Sequence, residues 1–344
     1  MNKAINKGLV LEEDLRKYFL NLGYYVLRGV KFRYHSFVIT DVDLWLYSKP
    51  SILARQRTNV DIKNKKTPQA IERIFWAKGL KEVLGIENCI IVTTDSRSDV
   101  REFGLLNHVT VLDGSFLVNL KDSQKIVTQK ERLSEEEFLD SINNNFQDIS
   151  SDCKKIYEEA KSRILTSLNF DSSNAYLKDI QYFIEKQLIN VNNDMTYLRI
   201  IYMLISMFLI TVDFILKDHV SLDIKQRTSL LNEGFRFGDF GRIYATKFIE
   251  LIADLTAVNG IVPETGRAIL DEFKNQTDML KTEILAEFFA NRIVYSNLFS
   301  SAIEFELAAF SRSLIMPTEL SVNAKSILGV IADFLSVDRK KILR

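Results

Sequence analysis

The hydrophobic periodicity of this chain changes once, near residue 120, and that change limits it to two architectures joined in sequence. Before it, apolar and polar residues alternate in short β-branched and aromatic runs. After it, strand patterns nearly vanish and apolar residues recur at helical spacing. With 344 residues the chain exceeds the ~100–200 residues of a usual domain, so two or three units are expected.

In the first part, residues 9–22 have helical spacing, with Leu11, Leu15, Tyr18, Phe19 and Leu22 on one face and Gly23 at the C-cap. Residues 24–32 and 37–47 read as strands joined by a turn near His35, and a third strand covers 56–64 after Pro50 and Ser51. Thr67 and Pro68 start a helix that Gly85 ends. A buried strand over 89–94, a short helix over 99–107 and a last strand over 109–112, stopped by Asp113 and Gly114, complete the set. The order α-β-β-β-α-β-α-β predicts a mixed sheet with helices on both faces.

Ser134 and Glu137 form a capping box, and helical patterns then run through 150–168, 173–190, 195–217, 222–233, 239–258, 264–292, 293–311 and 319–335. No period repeats, so an irregular all-α domain is expected. The predicted divisions are an α/β domain over 1–125, a linker and first helix over 126–150, and the helical domain over 151–344. The segment Phe235-Arg236-Phe237-Gly238 reads as a helix-helix turn with aromatic anchors.

Composition excludes several classes. Hydrophobic content of 47% and charged content of 26% carry neither a collagen-like nor a disordered bias. Cys89 and Cys153 have no Cys or His neighbour at metal-ligand spacing, which points to a reducing cytoplasm rather than a disulfide framework or zinc site. Residues 1–10 show no secretory h-region. Residues 200–212 are apolar but bracketed by Arg199 and Asp213, short of the ~20 a bilayer needs, so a buried helix and no membrane are expected. Residues 1–120 hold 18 Lys and Arg against 13 Asp and Glu, a balance of +5, and the rest carries −5. The modestly basic third suits a polyanion.

That third also holds the chemistry. On a strand, side chains alternate, so Asp61 and Lys63 share one face opposite Val60 and Ile62, and Asp41 and Asp43 share a face opposite Val42 and Leu44. If the strands pair, Asp43 meets Asp61. Two carboxylates and a main-chain carbonyl, that of Ile62, suit Mg²⁺, with Mn²⁺ as substitute. Such a metal activates water, and Lys63 orients that water or stabilises charge on phosphate. Asp41 is an alternative to Asp43 if the register shifts. These are core strands, in which unpartnered carboxylates would be costly to desolvate. Trp45, Trp76 and the other aromatic residues read as core.

The first 120 residues resemble the PD-(D/E)XK nuclease superfamily, specifically the Mrr-type restriction endonuclease-like domain. The resemblance runs through Glu12, the segment Leu22-Gly23-Tyr24-Tyr25-Val26, Asp43 in Asp-Val-Asp-Leu and Asp61-Ile62-Lys63. It continues through the helix over 70–84, the strand 90–94 and the ending 109–114. It implies an α/β restriction-endonuclease-like fold, with Asp43 and Asp61 as metal ligands, Lys63 as catalytic lysine and Glu12 as an accessory carboxylate. Gln69 and Glu72 then either approach the site or nucleic acid or are solvated helix positions. The chain departs from the pattern in having Asp61 where Mrr-type enzymes commonly carry Gln, and no Pro before Asp43.

Lys65 and Lys66, with Arg55 and Arg57, are either a backbone-directed phosphate edge or solvated strand ends. The expected function is a Mg²⁺-dependent DNA endonuclease in restriction, phage defence or repair, whose helical domain recognises DNA, dimerises or binds a partner protein. RNA as substrate, or a non-catalytic nucleic-acid-binding or assembly protein of the same fold, are the alternatives.

Overall fold

The computed structural model describes residues 7–35, 37–63, 69–124, 132–145, 150–189, 197–258 and 263–342. The chain divides into two compact units, Met1–Ser167 with Phe310–Ser313, and Leu168–Ala309 with Leu314–Arg344. The first unit therefore runs past the divisions at 126 and 151 read from the sequence. Residues 132–145 and 150–166 belong to this unit, in which Glu135, Glu136, Glu158 and Lys161 bond to residues of the first helix and first strand.

In the first unit, helix α1 (Lys7–Asn21) precedes β1 (Tyr25–Tyr34), β2 (Phe37–Ser48), β3 (Gln56–Lys63), α2 (Ala70–Leu84), β4 (Asn88–Thr93), α3 (Ser98–Leu106) and β5 (Thr110–Leu112). Among the described residues, α4 (Gly114–Gln124), α5 (Glu135–Asn145) and α6 (Ser150–Thr166) follow. The strands lie in the order β1-β2-β3-β4-β5, antiparallel through β3 and parallel from β3 to β5, as a mixed sheet requires. Gly23, with φ of 85°, ends α1: the Tyr24 N–H donates to Phe19 and the Gly23 N–H to Leu20.

Strand alternation divides the core. Val26, Leu44, Leu46, Val60, Ile62 and Val92 pack on Leu11, Leu15 and Phe19 of α1 and Leu117 and Leu120 of α4. Cys89, Ile91 and Val111 face Ala70, Ile74 and Ala77 of α2 and Val100 of α3. Each large aliphatic or aromatic residue buried in this way contributes about 1.5–3 kcal/mol. Helix α4 was not anticipated from the sequence. Asp113 both stops β5 and caps α4, accepting from the Phe116 N–H at 3.0 Å. The predicted start of α2 at Thr67 lies outside the described residues. Cys89 and Cys153 are both buried and free.

A buried ionic cluster ties α1, β1, α5 and α6 together. The Arg28 guanidinium, on the α1 side of β1, donates to Glu12 (2.9 Å), Glu13 (2.8 Å) and Glu136 (2.8 Å). Lys161 of α6 donates to the Arg28 carbonyl (2.5 Å) and to Glu135 (2.6 Å). Glu135 also accepts from Arg16 (3.0 Å) and Tyr157 (2.9 Å). The Ser134–Glu137 capping box forms as expected, at 2.7 and 3.1 Å; Glu135 beside it is buried, while Glu136 reaches Arg28 from an exposed position. Around the cluster, Phe138 stacks on Phe310 at 4.5 Å and Arg16 lies over the Phe310 ring.

The second unit is helical, consisting of α7 (Phe170–Ile189), α8 (Leu198–Leu216), α9 (Ile224–Phe237), α10 (Gly241–Val258), α11 (Pro263–Met279), α12 (Thr282–Ala290), α13 (Arg292–Phe310, which ends in the first unit), α14 (Val322–Phe334) and α15 (Arg339–Ile342). With the turn after it, α8 is 22 residues of high hydropathy, long enough to cross a membrane by composition, but 89% of its apolar window is buried. Its burial, not the short length read from the sequence, marks it as a core helix. The helix expected over 264–292 breaks at Leu280 and Lys281. Phe235 is not in a turn: it lies inside α9, in an aromatic cluster with Phe208 and Phe289, and Gly238 at φ of 70° ends the helix.

Burial by itself would raise the Glu135 carboxyl; the charges of Lys161 and Arg16 and the hydrogen bonds from Lys161 and Tyr157 outweigh it and hold the group at about 2. A depressed carboxylate stabilises the fold above its unfolded value near 4.5, and that contribution fades as pH falls toward 2. Glu135→Gln leaves Lys161 and Arg16 buried without their counter-charge, so it should cost about 3–5 kcal/mol at neutral pH. Both tryptophans, Trp45 and Trp76, lie in this unit, so urea unfolding followed by their fluorescence measures the loss. Equal stability of the two proteins at neutral pH would contradict the role given to Glu135.

Candidate active site

The backbone ladder between β2 and β3 runs from Ser48–Gln56 to Leu44–Val60 and then stops. One residue on, the Asp43 side chain replaces it, accepting from the Ile62 N–H at 2.6 Å. Opposite Asp43 on its other side, Gly29 adopts φ of 60° between the paired positions Arg28–Leu44 and Val30–Val42, so β1 is kinked at the same level. Both neighbours of β2 thus depart from regular pairing where the acidic residue sits.

Asp61 and Lys63 share the face the sequence assigned them, with Lys63 Nζ 4.0 Å from Asp61 Oδ1, while Val60 and Ile62 point into the opposite core. Asp61 is buried. Its carboxylate is held at both oxygens by Arg73 of α2, with Arg73 Nε 2.6 Å from Oδ2 and the second guanidinium nitrogen on Oδ1. Asp43 lies in the field of this group. Burial is the largest influence on its carboxyl, partly offset by the Ile62 hydrogen bond; the Asp61 charge raises it further, Lys63 lowers it, and Glu12 adds a smaller upward push. The result is a pKa raised from 3.8 to about 6.

Glu12 is near enough to act on Asp43 electrostatically, but its carboxylate is taken by Arg28 at 2.9 Å. Among the described residues no three His, Cys, Asp or Glu side chains are placed to hold a metal ion together, so Glu12 does not join Asp43 and Asp61 as the resemblance implies. Asp41 is exposed further along β2 and makes no claim on the site. Gln69 is exposed at the N-cap of α2 without a side-chain capping bond, and Glu72 is exposed in its first turn. Lys65 and Lys66 lie outside the described residues.

Arg55 and Arg57 do not belong to the site. Arg55 precedes β3 and Arg57 lies at its start, about 20 Å from Lys63 by strand rise. Arg55 is buried and donates to the carbonyls of Ser51, Ile52 and Ala54 at 2.9–3.1 Å, and Arg57 pairs with Glu87 at 2.8 Å.

Two neighbours of the site were missed in the sequence. Arg73 and Trp76 sit one helical turn apart on α2, with the guanidinium 5.6 Å from the ring centroid. Trp76, read as core, is 46% exposed. The signal was present: Ala70, Ile74 and Ala77 define the buried stripe of α2, and residues 73 and 76 fall at its edge.

Asp43 and Asp61 are the residues here that could hold a hard divalent cation, with the Asp61 oxygens taken by Arg73 in this structure. Asp43 and Asp61 offer carboxylate oxygens from adjoining strands, Asp43 is desolvated and among the described residues has no cationic partner at hydrogen-bond distance, and the Ile62 carbonyl lies on the same strand, β3. Arg73 supplies Asp61 with positive charge in its place.

A raised carboxyl has the opposite linkage to Glu135. In metal-free buffer Asp43 costs the fold stability as pH rises from about 4 through about 6, because the native state binds the proton more tightly. Asp43→Asn keeps an acceptor for the Ile62 N–H and removes that charge, so it should stabilise the metal-free protein at neutral pH by about 1–2 kcal/mol after screening, with no gain below about pH 4. Urea unfolding with a chelator present measures this, and a destabilised Asn variant at neutral pH would contradict it. Comparison with protein-family models, curated proteins and solved structures returns no match to this chain.

Proposed function

We propose that Asp43, Asp61 and Lys63 form the active site of a metal-dependent endonuclease that hydrolyses DNA phosphodiester bonds. The observation that carries this is the break in the β2–β3 ladder, where Asp43 binds the Ile62 N–H beside Asp61 and Lys63 instead of continuing the sheet. The sequence resemblance to PD-(D/E)XK nucleases supports the same reading, with Glu12 engaged by Arg28 instead. The free, buried cysteines fit a reducing cytoplasm.

Mg²⁺ held by Asp43, Asp61 and the Ile62 carbonyl would supply the charge that makes a bound water nucleophilic near neutral pH and offsets charge on the phosphate. The chain's own residues do the rest. The Ile62 N–H fixes the rotamer of Asp43, so its second oxygen is aimed without further loss of entropy. Lys63, one-third exposed, would donate an N–H from Nζ to a non-bridging oxygen of the phosphate under attack, stabilising the charge that builds there. Arg73 exchanges the Asp61 carboxylate for a phosphate oxygen, for which its planar fork is equally suited. Trp76 offers an exposed ring on which a base can stack.

The second reading, a non-catalytic nucleic-acid-binding or assembly protein, is favoured by one observation: Arg73 already neutralises Asp61 at both oxygens. Cleavage assays separate the two. Duplex, branched and single-stranded DNA, with RNA in parallel, should be cut in Mg²⁺ or Mn²⁺, and Lys63→Ala and Asp61→Ala should each lower the rate by about 10²-fold or more. Arg73→Ala should reduce the Mg²⁺ needed for half-maximal cleavage by about tenfold, since it removes a competing cation. Metal-independent binding without cleavage would support the second reading, and activity unchanged in Lys63→Ala would overturn the first.

A further inference from the structure

Helix α10 presents an apolar strip to solvent. Tyr244, Phe248, Leu251 and Leu255 are 65%, 63%, 55% and 53% exposed, and their 4-3-4 spacing is that of the a and d positions of a coiled coil. The opposite side of the helix is covered. Ala253 is buried, and its carbonyl lies 2.9 Å from where a Cβ on Gly266 of α11 would stand, so the two helices meet there at backbone distance. Scattered surface apolar residues are ordinary, whereas a contiguous strip of large ones marks an interaction surface.

We propose that this strip is covered by a second copy of the chain, in an antiparallel, two-fold-symmetric pairing of α10 with α10. The charges beside the strip select both the occupant and the direction. Lys247 and Asp254 occupy the g positions, are exposed, and among the described residues form no ion pair. When Phe248 lies against the second copy's Leu251 and Tyr244 against its Leu255, Lys247 of each copy comes beside Asp254 of the other. The two-fold axis makes that pair twice. A parallel pairing would set Lys247 against Ile252 and forgo both contacts.

Size agrees. With aromatic side chains offering about 150–250 Å² when fully exposed, the four strip residues present on the order of 500 Å² per copy, or about 1,000 Å² for the pair, the level a specific interface must reach. The exposed Phe240 and Ile243 widen the strip at its N-terminal end. This inference is independent of the reading of Asp43 and Asp61.

Sedimentation velocity of the full chain from about 1 to about 100 µM, at about 0.15 M salt, tests it. The wild-type chain should dimerise with rising concentration. Leu251→Asp, at an exposed position, should be monomeric with an unchanged helical circular dichroism spectrum. Lys247→Asp sets like charges together twice and should weaken the dimer about tenfold, while Lys247→Asp combined with Asp254→Lys should restore it to within about threefold. A wild-type monomer throughout the range, or a dimer indifferent to Leu251→Asp, would overturn the interface. A double variant no tighter than Lys247→Asp would overturn the antiparallel arrangement.

Discussion

A buried arginine in an edge strand organises the first unit. Arg28 shares the α1-facing side of β1 with Val26, a position that alternation reserves for an apolar side chain, and its desolvation must be offset by carboxylates. Glu12 and Glu13 arrive from α1 and Glu136 from α5. Beside Gly29, with its positive φ, the Arg28 carbonyl accepts from Lys161 of α6. One residue thereby specifies where three helices dock, and α6 covers an edge strand that would otherwise be open to further pairing. A buried ionic cluster of this kind adds little net stability compared with an apolar core, but it penalises alternative packings that would strand a charge.

The same residue shapes the candidate active site. By holding Glu12, Arg28 keeps a third carboxylate from Asp43 and Asp61, which leaves the acidic pair with Lys63 and Arg73 as its cations. Strand β3 is where the sheet changes from antiparallel to parallel pairing, and its last residues have no β2 ladder to complete. The hydrogen bond from Ile62 to Asp43 fills that gap and fixes one acid against the next. A polar group used to terminate a ladder is desolvated as a consequence, which accounts for the high proton affinity of Asp43.

Much of this was legible in the sequence because it is local. Gly23 ending α1, the alternation that puts Asp61 and Lys63 on one face, and the Ser134 capping box each depend on a few neighbouring residues. What was illegible depends on packing. Asp113 and Gly114 read as the stop of a strand, and the same pair starts α4, whose Phe116, Leu117 and Leu120 close the core from below α1. The break at Lys281 falls within unbroken helical periodicity and is set by α12 turning its buried Leu285 and Phe289 into the core. Glu12 was assigned to a metal from its place in a resembling pattern, although a charged residue at an inward position of β1 already called for a partner. Arg73 meets Asp61 only because α2 lies across β3, which no spacing rule encodes.

The reading proposed above has Asp43 and Asp61 together binding one hard divalent cation. Mn²⁺ titration monitored by electron paramagnetic resonance, on wild type, Asp43→Asn and Asp61→Asn, addresses it without reference to substrate. One ion per chain is expected for wild type, with binding that weakens as pH drops through about 6 because protons compete at Asp43, and with loss of the site in both variants. Absence of stoichiometric Mn²⁺ binding at neutral pH, or binding that survives both substitutions, would contradict it.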